Sequence, residues 1–226
     1  YNRYFGWYKE AGSAENFGEW LDLYHNEKEK RPVCLSEYGG GGAISQHKDN
    51  VNWESDIDPV GVRHYENYQS QLHEILWKQF SVRKYLWAEF IWCMFDFASY
   101  GRTEGDTKSL NDKGLCTRER IPKDVYFFYR SVWSSKKTVY ITERRHEFRA
   151  CDVPFVKVYS NADAVELCIN DVSYGMITRR ELPDDESTVF LWENIKIKPD
   201  TKNKICAKAY FSDGTSRTDY AFWTGK

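Results

Sequence analysis

Arg31-Pro32-Val33-Cys34-Leu35-Ser36-Glu37-Tyr38-Gly39-Gly40-Gly41-Gly42 sets a short apolar run against a four-glycine turn, with one carboxylate at the junction. An apolar run bounded by Pro and Gly reads as a buried strand. A carboxylate at its end is partly desolvated yet open to a cleft, and glycines let backbone and ligand approach closely. The plainer alternative is an acid that caps a helix or forms a salt bridge. The spacing alone leaves both readings open.

Outward from this stretch, strand-like runs alternate with helical patterns up to about Trp133. Tyr4 to Tyr8 is a strand-like run, and Ala14 to Lys30 is a helix with Phe17, Trp20, Leu21 and Tyr24 on one face. Val62 to Val82 reads as a second helix. Tyr85 to Phe97 is an almost continuous apolar run, expected of a strand buried on both faces. Pro122 to Trp133 reads as a third helix with Pro near its first turn. This alternation predicts parallel β/α units. In a (β/α)₈ barrel the reactive residues stand at the C-terminal ends of strands, where Glu37 and the residues after Trp92 fall. A complete barrel takes about 200 residues or more, against roughly 135 here, so a partial barrel is expected.

From about Lys137 the texture changes to period-2 runs: Thr138–Thr142, Phe155–Tyr159, Val165–Ile169, Tyr174–Thr178, Thr188–Trp192, Ile205–Phe211 and Thr218–Trp223. They predict an Ig-like β-sandwich, with the acidic cluster Asp184-Asp185-Glu186 as a turn. The fold class is therefore α/β plus all-β, with a partial barrel over 1–136 and a sandwich over 137–226.

Composition narrows the function. The net charge of −2 leaves no basic field for nucleic acid, and no apolar stretch has the length of a membrane span. The 17% aromatic share suits stacking on sugar rings, and equally an aromatic-rich core. The six cysteines form no CxxC pair and are expected to be buried free thiols. The first residues, Tyr1 to Tyr8, read as mid-domain sequence, so the natural N-terminus is expected upstream and the cellular compartment stays open.

Five motifs then stand in order: Asn2-Arg3-Tyr4-Phe5-Gly6-Trp7-Tyr8, Leu35-Ser36-Glu37-Tyr38-Gly39, Phe90-Ile91-Trp92-Cys93-Met94-Phe95-Asp96-Phe97, Asn111-Asp112-Lys113-Gly114-Leu115, and Arg120-Ile121-Pro122-Lys123-Asp124 with the Phe127 to Trp133 helix behind it. Their order and spacing resemble the β-galactosidases and β-glucuronidases of glycoside hydrolase family 2, over barrel strands six to eight and the domain that follows. The resemblance implies a retaining exo-β-glycosidase with Glu37 as nucleophile and Tyr4 placing it. It implies Trp92 as a wall of the sugar subsite, and Asn111 and Lys113 as ligands of a sugar carboxylate or as organisers of their loop. β-Galactosides are the first expectation and β-glucuronides the alternative. The general acid/base would lie in the remaining N-terminal part of the protein, so this segment alone is expected to be inactive. A homo-oligomer is possible.

His47, ten residues past Glu37, is a candidate for the aglycone side or a solvated loop residue. Asp96 is expected to hold the 111–115 loop, and His64 and His73 are expected on the second helix in structural or exposed roles. No metal-binding spacing is present, and the chemistry needs no cofactor. The reading from another class is a non-catalytic carbohydrate-binding or subunit-interaction segment.

Overall fold

The computed structural model describes residues 1–183 and 187–226; the expected turn at Asp184-Asp185-Glu186 lies outside the described residues. The chain forms two compact units, one of Tyr1–Gln46 and Val51–Val125, the other of His47–Asn50 and Tyr126–Lys226.

In the first unit, α1 (Phe17–Glu27), β1 (Val33–Tyr38), α2 (Trp53–Asp56), α3 (Glu66–Phe80), β2 (Leu86–Ile91), β3 (Phe97–Ala98) and β4 (Leu110–Asn111) follow one another. Strands β1 and β2 pair in parallel, and Asn2 forms a parallel bridge to Glu37 on the other side of β1. Three chain segments thus run side by side in the parallel sense that the β/α alternation predicted. The apolar faces of α1 and α3 close over them: Phe17, Leu21, Leu72, Leu76 and Phe80 form one core with Leu35 and Tyr38.

Two strand expectations change. Tyr4 to Tyr8 is a tight turn, with the amides of Trp7 and Tyr8 both donating to the Tyr4 carbonyl at 3.1 Å. The cause is Gly6, which has φ +75° and lies so close to Leu72 and Ala14 that a Cβ would collide with both. The Tyr85–Phe97 run is strand over Leu86–Ile91 and again only at Phe97, the start of β3, and is not buried on both faces, since Trp87 is 66% and Phe90 56% exposed. A cis Trp92–Cys93 peptide follows it, and among the described residues β2 has hydrogen-bonded strand partners only in β1. His64 precedes α3 rather than lying on it; His73 lies on α3, and both are buried.

The second unit holds most of α4 (Asp124–Trp133), then β5 (Val139–Ile141), β6 (Phe148–Arg149), β7 (Asp152–Ser160), β8 (Ala164–Ile169), β9 (Val172–Thr178), β10 (Val189–Lys196), β11 (Lys202–Tyr210) and β12 (Ser216–Gly225). They form a sheet of order β10-β7-β5 and a sheet of order β6-β12-β11-β8-β9. Alternate residues of both sheets meet in one core of Val156, Val158, Leu167, Phe190, Ile205 and Trp223, as period-2 patterning requires. By packing, α4 belongs here: Phe127 stacks on Tyr140 at 3.7 Å, and Ser131 Oγ donates to Thr188 Oγ1 at 2.7 Å. All six cysteines are free, but only Cys116 is buried; the other five are half-buried, because several lie in strand rows that face outward. No helix among the described residues is long and apolar enough to cross a membrane.

Candidate active site

Glu37 occupies the second-to-last position of β1, half-buried. The Asn2 bridge and the Arg3 amide, which donates to the Glu37 carbonyl at 3.2 Å, carry the following turn over the strand end. Tyr4 Oη then donates to Glu37 Oε2 at 2.7 Å. Burial, and after it the hydrogen bond and charge of Glu37, push the Tyr4 hydroxyl well above its ordinary range. It therefore stays protonated and acts as the donor.

The glycine turn is a place of close approach within the protein. Gly39 has φ +128°, with His73 beneath it, and a Cβ on Gly41 would strike the Asp112 carboxylate. These glycines admit the protein's own side chains. Gln69 Nε2 fastens the turn by donating to the carbonyls of Gly40 at 2.9 Å and Gly114 at 3.2 Å.

Asn111, Asp112 and Lys113 form the second cluster. Asn111 Oδ1 accepts from the Lys113 amide at 3.1 Å. Lys113 Nζ donates to Tyr8 Oη at 3.2 Å and lies 5.3–5.7 Å from the ring centres of Tyr4, Trp7 and Tyr8. That is the reach of cation–π attraction. Tyr8 packs edge-on against Tyr4 at 5.5 Å. A continuous line thus runs from Glu37 through Tyr4 and Tyr8 to Lys113. Asp112 is fixed from its side chain by His64 Nδ1 at 2.6 Å. Burial tends to raise the Asp112 carboxyl, but the His64 hydrogen bond and charge outweigh it and hold the group below its usual range.

Behind both clusters stands Lys123, fully buried. Its ammonium donates to the Gly42 carbonyl at 2.6 Å, the Asp112 carbonyl at 2.8 Å and Asp96 Oδ1 at 2.8 Å. Asp96 Oδ1 also accepts from the Gly114 amide at 2.8 Å, the loop-holding contact expected of it. Burial pushes the Asp96 carboxyl up to about 6, against the pull of Lys123 and Gly114.

Trp92 follows β2 directly; its amide donates to the Tyr38 carbonyl at 2.9 Å, and its ring meets Phe97 edge-on at 5.8 Å. The Cys93 amide donates to the Lys113 carbonyl at 3.1 Å, so the 92–93 segment touches both the end of β1 and the Asn111–Lys113 loop. His47 belongs to the second unit and stacks on His146 at 5.6 Å. The open groove of the first unit, about 790 Å³, is lined by Asn2, Tyr4, Tyr8, Gly12, Trp20 and Leu23 among others. It shares Tyr4 and Tyr8 with the site, but Glu37 is not among its lining residues. Tyr8, Lys123 and the His64–Asp112 pair were not singled out from sequence. Tyr8 and Lys123 lay inside quoted motifs, which was the available signal.

Among the described residues Asp49, Glu143 and His146 bring possible metal-ligating atoms within 4.8 Å of one another in the second unit. Arg149 Nη2 already bonds Asp49, and it lies 2.9 Å from Glu143 Oε2. A guanidinium there supplies the positive charge that a metal would bring.

Residues 1–138 match the glycosyl hydrolases family 2, TIM barrel domain, and residues 153–217 match a domain of unknown function, DUF4982. A β-glucuronidase of Bacteroides fragilis is 34% identical over 87% of this chain and 27% of its own length. A β-galactosidase of Bacteroides ovatus is 24% identical over 64% of this chain and 17% of its own. The crystal structure of an FMN-binding β-glucuronidase from Faecalibacterium prausnitzii superposes with a TM-score of 0.83 at 33% identity, over the whole of this chain and 32% of that one. The chain spans 27% and 26% of the first two curated relatives.

Lys123→Met is expected to destabilise the full-length protein by about 3–5 kcal/mol in urea unfolding, because it strands the buried Asp96 carboxylate. Adding Asp96→Asn should restore part of that loss; an unchanged midpoint in the single variant contradicts the role of Lys123. His73 offers a pH test. Burial, and secondarily the charge of Lys123, pushes its imidazole down to about 3. Between pH 6.5 and 3 the unfolded chain therefore binds the extra proton, so its share of stability, full above 6.5, drains away as pH falls. His73→Asn should flatten that part of the stability–pH curve, and an unaltered slope counts against a neutral buried imidazole.

Proposed function

The chain belongs to glycoside hydrolase family 2, and from that premise we propose that it carries the nucleophile side of a retaining β-glycosidase. Glu37 attacks the anomeric carbon and forms a covalent glycosyl-enzyme through an oxocarbenium-like transition state. The observation that supports this most is the Tyr4 hydroxyl, held protonated 2.7 Å from Glu37 Oε2. A fixed donor on one carboxylate oxygen orients the group and leaves the other oxygen for attack. Trp92 walls the sugar subsite.

Retention requires a second carboxyl group about 5 Å from the first, which protonates the leaving oxygen and later activates water. We place it in the N-terminal part of the longer protein, which is therefore the partner this segment needs; alone, these residues are expected to be inactive. The two-sheet unit is read as an Ig-like domain following the barrel.

For the sugar, the geometry shifts the balance toward β-glucuronides over the β-galactosides first expected. Lys113 spends one of its three N–H donors on Tyr8 and sits one ring from Tyr4. An ammonium so placed, with Asn111 ordering its loop, suits a sugar carboxylate. A galactoside is the second reading, favoured by the Bacteroides ovatus relative.

In the full-length protein Glu37→Gln is expected to lower turnover of aryl β-glycosides by several orders of magnitude. Lys113→Met should lower kcat/KM on an aryl β-glucuronide by about 10–100-fold, the worth of a charge-assisted hydrogen bond, while sparing an aryl β-galactoside. Wild-type turnover in the Gln variant eliminates the nucleophile and returns the chain to a binding role. Equal losses on both sugars eliminate the uronide reading alone.

A further inference from the structure

Cys168 on β8 and Cys206 on β11 stand directly opposite each other in antiparallel register. In β8 the alternate residues Val165, Leu167 and Ile169 are buried, and in β11 Ile205, Ala207 and Ala209 are. Both cysteines therefore project from the outer face of the five-stranded sheet, and both are free and half-buried. The Asn170 amide donates to the Lys204 carbonyl at 2.9 Å. Two residues along each strand, the cysteine pair has the same hydrogen-bonded phase, in which opposed Cα atoms stand about 5.5 Å apart. A disulfide spans about 4.4–6.8 Å between Cα atoms, so the Cα spacing lies within its range, while the opposed Cβ atoms, about 4.5–5.5 Å apart, must draw in to about 3.5–4.5 Å for the bond to close.

Neighbouring strands extend the row. Ser173 of β9 pairs with Cys168, and Tyr220 of β12 pairs with Cys206. Ser173 Oγ donates to Glu166 Oε1 at 3.0 Å. No other strand pairing among the described residues sets two cysteines opposite each other.

We propose that Cys168 and Cys206 form a dithiol modification site that closes to a cross-strand disulfide when a small-molecule disulfide oxidises it. One cysteine thiolate attacks the oxidant RSSR, forming a mixed disulfide and releasing RS⁻. The second cysteine then attacks the protein-side sulfur, expelling the other RS⁻ and forming the Cys168–Cys206 bond. The two protein thiols lose two protons and two electrons, and RSSR becomes two RSH. The site is separate from Glu37 and does not depend on the glycosidase reading. Cys34, Cys93, Cys116 and Cys151 lack an opposed cysteine and serve as internal controls.

The test treats the full-length protein with oxidised glutathione, digests it without reduction and maps linked peptides by mass spectrometry. The expected result is a peptide pair joined at 168 and 206, with two thiols lost together. In Cys168→Ser, which sits on an exposed row and leaves the core intact, a glutathione adduct should persist on Cys206 because no second thiol resolves it. Separate stable adducts on both cysteines of the wild type, no reaction at the pair, or links through other cysteines overturn the proposal.

Discussion

One buried ammonium holds the first unit's functional loops together. Lys123 sits just ahead of α4 with no exposed surface, and its three N–H bonds end on three stretches of chain: the glycine turn, the Asn111–Lys113 loop and Asp96. Burying a charge is costly unless it is paired and hydrogen-bonded, and here each proton has an acceptor. Two of those acceptors are carbonyls, so the interaction fixes backbone rather than one side chain. Asp96 passes the constraint on through the Gly114 amide, and Gln69 ties the turn to Gly114 a second time. The loop that carries Lys113 and the turn that ends β1 thus share one anchor.

This arrangement explains how a carboxylate at a strand end is held in one position. Glu37 does not depend on its own loop for position: β1 holds its backbone, and the Tyr4 hydroxyl holds one oxygen. Tyr4 in turn packs edge-on against Tyr8, whose hydroxyl accepts a hydrogen bond from Lys113. A carboxylate and an ammonium are kept apart by two phenol rings instead of meeting in a salt bridge. A direct ion pair would neutralise both groups; the proposed function assigns the carboxylate to covalent chemistry and the ammonium to recognition. Preorganisation of this kind spends folding energy in advance, so less is needed at the moment of reaction.

The sequence made the strands of the second unit legible because one face of each sheet is buried, so alternation had to appear. The two-residue β6 escaped, since so short an element has no period. In the first unit β1, α1 and α3 were readable, and the Tyr4–Glu37 partnership followed from the family resemblance. Less was visible wherever a residue's role depends on partners distant in the chain. Gly6 turns the Tyr4–Tyr8 run because Leu72 and Ala14 press on it, which periodicity cannot register. Lys123 reads as one lysine among many until its backbone acceptors are assembled around it. The glycine turn reads from sequence as a site of close approach, but only the assembled structure shows that His73 and Asp112 approach it. The stacking of His47 on His146 likewise joins residues about a hundred positions apart, which spacing from Glu37 does not reveal.

The central claim is that Glu37 forms the bond to the sugar, and covalent trapping addresses it directly. Full-length protein incubated with 2-deoxy-2-fluoro-β-glucuronides and β-galactosides bearing good leaving groups would be digested and mapped by mass spectrometry. The account predicts one glycosyl adduct, on the peptide containing Glu37, accumulating as activity is lost. An adduct on any other carboxylate, with Glu37 unmodified, would contradict it.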